Sequence, residues 1–111
     1  MTKIEIIDET VAYYQTHNRS VLSDYSCEYN GPNGEKCAFS RCCTADSVFE
    51  ENESSIMQKA AVLLPQYAHI PYHDSFWMDL QSLHDNADCW DGRSLTGKGI
   101  ERIAILKKRY A

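Results

Sequence analysis

Residues 25–39 have the sequence YSCEYNGPNGEKCAF, and this stretch decides the fold class. Tyr25, Cys27 and Tyr29 alternate along its first part, and Cys37 begins a similar alternation near its end. A period of two predicts β-strands, and the intervening NGPNG is composed almost entirely of turn-forming residues. If Tyr29 pairs with Glu35 across this turn, Cys27 lies opposite Cys37, whereas a two-residue turn at Asn33-Gly34 would shift the register. We therefore predict a β-hairpin with one buried face of thiols and aromatic rings.

Four helices are predicted around the hairpin, because apolar residues recur every three or four positions in residues 2–17, 54–64, 74–84 and 96–110. Thr2 with Glu5 has the pattern of a capping box, and Asp74 is a predicted N-cap. The predicted inward-facing residues are Ile4, Ile7, Val11 and Tyr14 in the first helix, Ile56, Met57, Ala60, Ala61 and Leu64 in the second, Phe76, Trp77, Leu80, Leu83 and His84 in the third, and Ile100, Ile103 and Ala104, with Leu106 or the stem of Lys107, in the fourth. Residues 40–53, which include Cys42 and Cys43, are predicted to form a surface loop.

The resulting fold class is α+β, with one β-hairpin, alone or within a small antiparallel sheet, packed against three to four helices. The chain has 111 residues, and a length near 100 is typical of one domain, so residues 1–111 are predicted to form a single compact domain. With 43% hydrophobic and 24% charged residues, the composition is that of a globular protein rather than a disordered one.

The charge balance and the N-terminus indicate the class of partner and the compartment. Eleven Lys and Arg against sixteen Asp and Glu give a net charge of −5, which disfavours nucleic acid as a partner. No apolar run approaches the ~20 residues that span a bilayer, and no signal-peptide pattern follows the N-terminus. We therefore expect no membrane association and a cytoplasmic location, where thiols stay reduced.

The five cysteines raise the question of a metal site. Structural zinc sites usually take cysteines in pairs two to four residues apart, and the chain contains no such pair. We therefore predict no metal ligands and no cofactor, and we interpret Cys27 and Cys37 as small core residues. A zinc-stabilised module is an alternative, with Cys27 and Cys37 as two ligands and His84 or Cys89 completing the set.

His84 and Asp85 are the pair that most resembles catalytic residues. A cysteine nucleophile needs a base within hydrogen-bonding reach, and that base needs an orienting group. Because the two residues are neighbours in sequence, Asp85 is not expected to orient His84. We interpret His84 instead as a packed residue at a helix end, and predict no catalytic residues.

Several short strings together resemble a group of small uncharacterised proteins carried by bacteriophages and prophages. The strings are Asn18-Arg19-Ser20, Cys27-Glu28-Tyr29, Gly34-Glu35-Lys36-Cys37-Ala38, and Leu80-Gln81-Ser82-Leu83-His84-Asp85 followed by Trp90. The similarity spans roughly residues 10–91. It implies a phage-like origin, a Cys-containing hairpin and a His-Asp helix end, but no reaction. The chain departs from the group after Ala38, where Phe39-Ser40-Arg41-Cys42-Cys43 replaces a small residue and an apolar stretch.

The leading functional hypothesis is a small acidic phage-type accessory protein that binds a host or defence protein and modulates it, most simply by inhibition. The alternative is a small-ligand binder or enzyme whose site lies near Arg19, Cys37, His84 and Asp85. The candidate binding residues are Arg19, Cys27, Cys37, His84, Asp85 and Trp90.

Overall fold

The computed structural model describes residues 1–21, 34–44, 47 and 62–111. In these ranges the chain forms helix α1 (Lys3–Tyr14), helix α2 (Ser75–Asp85), strands β1 (Trp90–Asp91) and β2 (Ser94–Leu95), and helix α3 (Gly97–Arg109). Single 3₁₀ turns cover Ser40–Cys42 and Ala87–Cys89. The predicted α+β class is confirmed, with three helices and one antiparallel hairpin in the described residues.

Helix α1 begins as the sequence predicts. The Thr2 hydroxyl accepts a hydrogen bond from the Glu5 amide, and the Glu5 carboxylate accepts one from the Thr2 amide, so the capping box is complete. The helix ends at Tyr14, three residues earlier than predicted. Its buried residues are Ile6, Ile7, Thr10 and Tyr14, so the buried stripe includes only two of the four predicted positions.

The hairpin lies in a different part of the chain from the predicted one. Trp90 pairs with Leu95 and Asp91 with Ser94, around a two-residue loop. Gly92 occupies the first loop position with φ of +60°, a conformation that tight hairpin loops require and that glycine adopts without strain. Glycine at the first of two loop residues is a recognised hairpin signal, whereas we predict only a polar turn there from the sequence.

The predicted hairpin over residues 25–39 falls largely outside the described residues, and its described end is not a strand. Lys36 forms one isolated parallel bridge with Arg19, and from Ala38 the backbone turns into the 3₁₀ turn. A strand ending at Phe39 was therefore wrong. The alternation of Cys37 and Phe39 does not mark one face of a strand, because every residue from Cys37 to Ser40 is buried.

The prediction that residues 40–53 form a surface loop is also wrong at Cys42 and Cys43. Cys42 and Cys43 are buried, with exposed fractions of 0% and 5%. The 3₁₀ turn places both thiols inside the core, where cysteine behaves as a small apolar residue.

The helix predicted over residues 54–64 is absent from its described end, residues 62–64. These residues are extended instead: Thr44 N donates to Val62 O at 2.8 Å, and Leu64 N donates to Cys42 O at 2.9 Å. Pro65 disfavours helical backbone at the residue before it, which accounts for the extended conformation of Leu64. Residues 54–61 lie outside the described part of the chain.

Helix α2 agrees closely with its prediction. The Asp74 carboxylate accepts from the Phe76 amide as an N-cap, and all five predicted inward residues, Phe76, Trp77, Leu80, Leu83 and His84, are buried. The four apolar residues among them share one hydrophobic cluster with side chains of α1 and α3.

Helix α3 is present but rotated relative to its prediction. Thr96 caps it, and the buried residues are Gly99 and Leu106, whereas Ile100 is 61% exposed and Ala104 is exposed. A Cβ on Gly99 would lie 2.3 Å from the carbonyl oxygen of Cys89. The helix therefore approaches the Ala87–Cys89 turn through its glycine, and this turns Ile100 outward.

Candidate functional site

Four of the six predicted site residues, Arg19, His84, Asp85 and Trp90, lie together at the C-terminal end of α2. The Arg19 guanidinium donates to the His84 carbonyl at 2.6 Å. The Ser20 amide donates to His84 Nε2 at 3.3 Å, and His84 Nδ1 lies 2.7 Å from Asp85 Oδ1. The His84 side chain has no solvent exposure. A chain crossing formed by residues 19–20 therefore covers this helix end.

These contacts define the protonation state of the imidazole. Because Nε2 accepts the Ser20 N–H, it carries a lone pair, and the ring proton is on Nδ1, which donates to Asp85. Burial lowers the pKa of His84, and this outweighs the opposing effect of the Asp85 carboxylate. The ring is therefore neutral at pH 7, with both nitrogens engaged inside the protein.

Asp85 does orient His84, so the expectation that adjacent residues would not interact in this way was wrong. The same Asp85 oxygen also accepts from Gln81 Nε2 at 2.9 Å, and Gln81 Oε1 accepts from the Phe39 amide at 3.2 Å. Asp85 is turned toward the helix by two donors, which fixes its side chain against His84.

The hydrogen bonds form a continuous chain from Phe39 through Gln81, Asp85 and His84 to Ser20. It connects three segments that are distant in sequence: residues 19–20, the start of the 3₁₀ turn, and α2. Gln81 was missed as a site residue, although its i, i+4 spacing from Asp85 on one helix face indicates the contact. Ser20 contributes only its backbone amide to this chain, and no sequence pattern identifies such a group.

Arg19 and Trp90 form the aromatic side of the cluster. The Arg19 guanidinium lies 5.6 Å from the Trp90 ring centre, in the range of a cation–π contact. Trp90 Nε1 donates to the Leu83 carbonyl at 2.9 Å. The Tyr14 ring packs edge-on against both His84 and Trp90, with centroids 4.9 and 6.2 Å away.

The cysteines have more local roles. Cys37 Sγ accepts a hydrogen bond from the Ser40 amide at 3.4 Å, at the start of the 3₁₀ turn. Cys89 is buried under α3, and its carbonyl accepts from the Thr96 amide. Cys27 lies outside the described residues. Among the residues that are described, no group of three His, Cys, Asp or Glu side chains is arranged to hold a metal ion.

A second polar cluster, which sequence reasoning missed, surrounds Arg41. Its guanidinium donates to Glu9 at 2.8 Å and to the Thr10 hydroxyl at 2.7 Å, and Tyr67 also donates to Glu9. Although burial opposes it, hydrogen bonds from Tyr67 and Arg41 lower the pKa of Glu9. This cluster fastens α1 to the 3₁₀ turn, and burial raises the pKa of the adjacent Cys42 thiol to about 12.

A surface cavity lies away from the predicted site. It has a volume of about 640 Å³, and it is lined by residues near the starts of α1 and α2, including Lys3, His69 and Asp74. Of the predicted site residues that the structure describes, none lines it. In the part of the chain that the structure describes, no helix is long and apolar enough to cross a bilayer.

Comparison with known proteins finds no relative. No family model, no curated protein and no solved structure matches the chain.

Proposed function

We propose that the protein acts by binding another protein and modulating it, in the manner expected of a small acidic phage-type accessory protein. The proposed partner is a protein of the host or of its defence systems, met in the host cytoplasm. The sequence-level resemblance motivates the choice of partner class.

One observation supports binding over chemistry. The residues that most resemble a catalytic set are used for internal fastening: His84 is fully buried, and Ser20 and Asp85 occupy its two ring nitrogens. General acid–base catalysis needs a ring nitrogen within reach of the substrate. In this arrangement the imidazole has no such nitrogen to offer.

The experiment uses the full chain as immobilised bait against bacterial lysate, with an unrelated protein of similar size and isoelectric point as the matched bait. We expect the full chain to retain one protein that the matched bait does not retain. This protein and the full chain should bind each other again after both are purified. Both baits are used at roughly tens of micromolar, a concentration above the dissociation constants of typical specific complexes. If both baits retain the same proteins under these conditions, the proposal is wrong.

A further inference from the structure

The outward face of α3 exposes two isoleucines that lie outside the hydrophobic core formed by the described residues. Ile100 is 61% exposed and Ile105 is 44% exposed, and the exposed Ala104 lies between them on the helix surface. Exposed single apolar residues are common, but here two large ones lie on the solvent side of one 13-residue helix, on either side of the exposed Ala104. We call the set Ile100, Glu101, Ala104, Ile105 and Lys108 the outer face of α3.

The same helix concentrates positive charge on an acidic protein. It carries five of the eleven Lys and Arg residues and one of the sixteen Asp and Glu residues. Two of these cations are engaged internally, since Lys107 pairs with Asp8 and Arg109 pairs with Asp79. Within the described part of the chain, Lys98, Arg102 and Lys108 form no ion pair.

The positions of these three cations connect them with the isoleucines. Lys108 lies on the outer face one turn beyond Ala104, and Arg102 lies one turn before Ile105. Lys98 lies one turn before Arg102 and extends the same edge of the helix. The result is a mixed surface on which apolar side chains lie next to cations that form no ion pair in the described part of the chain.

We propose that the outer face of α3 docks an acidic protein segment that carries its own apolar residues. This inference rests on the proposed function and identifies the surface and the chemistry of the partner. The two isoleucines and Ala104 supply apolar contacts, and the three cations near them select carboxylates and speed encounter.

Other occupants fit these observations less well. Nucleic acid needs a larger cluster of cations, without Glu101 in the middle of the surface and without a net charge of −5. Insertion at a membrane surface needs a wide apolar face, and here Glu101 and Lys108 interrupt it. A second copy placing α3 against α3 would bring two strongly positive helices together.

The test replaces Ala104 with the photo-reactive residue benzoylphenylalanine in the otherwise intact chain, inside bacterial cells. The control places the same residue at Val62, which is 53% exposed and lies on the segment paired with residues 42–44. We expect a protein adduct from position 104 and a much weaker one from position 62, with the cross-linked peptide rich in Asp and Glu.

Charge variants test whether adduct formation depends on the cations of α3. The double substitution Lys98→Glu/Lys108→Glu should reduce the adduct by about tenfold, equivalent to about 1.4 kcal/mol, whereas Lys36→Glu, also at an exposed lysine, should leave it unchanged. Ile105→Ser provides an independent loss of the apolar contact. An adduct with nucleic acid, with lipid or with a second copy of the chain would overturn the inference, as would an adduct insensitive to both changes.

The two proposals fail differently. If the full-chain bait retains a partner but position 104 forms no adduct, the α3 surface is wrong and the binding function stands. If the bait retains no partner and position 104 forms no adduct, both are wrong.

Discussion

The amide N–H of Ser20 donates a hydrogen bond to Nε2 of His84, 64 positions further along the chain. This bond fixes the ring proton on Nδ1, where it faces Asp85. The fold thus holds a neutral imidazole in one tautomer at the point where residues 19–20 cross the end of α2. A neutral buried histidine makes stability depend on pH.

We expect the free energy of unfolding to fall as the pH drops below the ordinary pKa of histidine. Burial keeps the pKa of His84 below 6.5 in the folded state, so the unfolded chain binds a proton first. The stabilising contribution is therefore complete above about pH 6.5 and is lost as the pH falls toward the lowered pKa. Urea denaturation across this window measures it.

The control separates His84 from other titrating groups. His84→Asn removes the titration and should flatten the pH profile between about pH 7 and about pH 5, while the exposed His17→Asn should keep the native slope. Glu9 and Asp79 also have lowered pKa values, but their contributions are lost below 4.5 and 3.8, outside this window. An unchanged slope in His84→Asn would contradict the assignment.

Asp85→Ala should destabilise the protein by about 1–3 kcal/mol, because it leaves the buried Nδ1–H of His84 and the Gln81 amide without their acceptor. The matched control is Asp91→Ala, on an exposed strand position, which should change the free energy of unfolding by less than about 0.5 kcal/mol. A double-mutant cycle with Gln81→Ala should show coupling of at least about 0.5 kcal/mol. Additive effects would show that the hydrogen-bond chain does not act as a unit.

The part of this site that could be predicted is the part formed by local sequence. The caps at Thr2 and Asp74 and the buried stripe of α2 follow from spacing alone, whereas the contact of His84 with Asp85 was not expected from their adjacency. The bond from Ser20 is different, because a backbone amide has no signature in the sequence. The rotation of α3 was missed for a related reason, since apolar periodicity favours Ile100 inward while the close approach at Gly99 depends on tertiary packing.

Gly99→Ala should destabilise the protein despite the better helix propensity of alanine. The new Cβ would lie 2.3 Å from the Cys89 carbonyl oxygen, which belongs to backbone and cannot rotate away. We expect a net loss of about 1–3 kcal/mol, typical of overpacking. At Gly97 nothing lies within 4 Å of the added Cβ, so Gly97→Ala should leave stability unchanged or slightly higher. Equal midpoints for the two variants in thermal melts would refute the close approach.

Cys37→Ser and Cys42→Ser should both destabilise the protein, by about 1–3 kcal/mol each, because each buries a strongly hydrated hydroxyl where the native sulfur makes a weak hydrogen bond, from the Ser40 amide or to the Ala38 carbonyl. Sequence reasoning ranks Cys37 well above Cys42, since it predicts Cys42 in a surface loop, but both side chains are 0% exposed. Burial also raises the pKa of Cys42 and of Cys43 to about 12. Alkylation at pH 8 should therefore leave the thiols of Cys42 and Cys43 unmodified until the protein is unfolded, as peptide mass analysis can show. Modification of these thiols in the native protein would place them at the surface.

The accessibility of His84 discriminates between fastening and catalysis. Diethyl pyrocarbonate modifies neutral imidazoles that it can reach, and three of the four histidines, His17, His69 and His73, are exposed. We expect these three to react in the native protein and His84 to react only after unfolding, because its ring is buried and both nitrogens are bonded. If His84 reacted as fast as His17, the crossing at residues 19–20 would have to open in solution. Arg19, His84 and Asp85 would then line an accessible site, and the small-ligand or enzyme alternative would gain the exposed nitrogen that it requires.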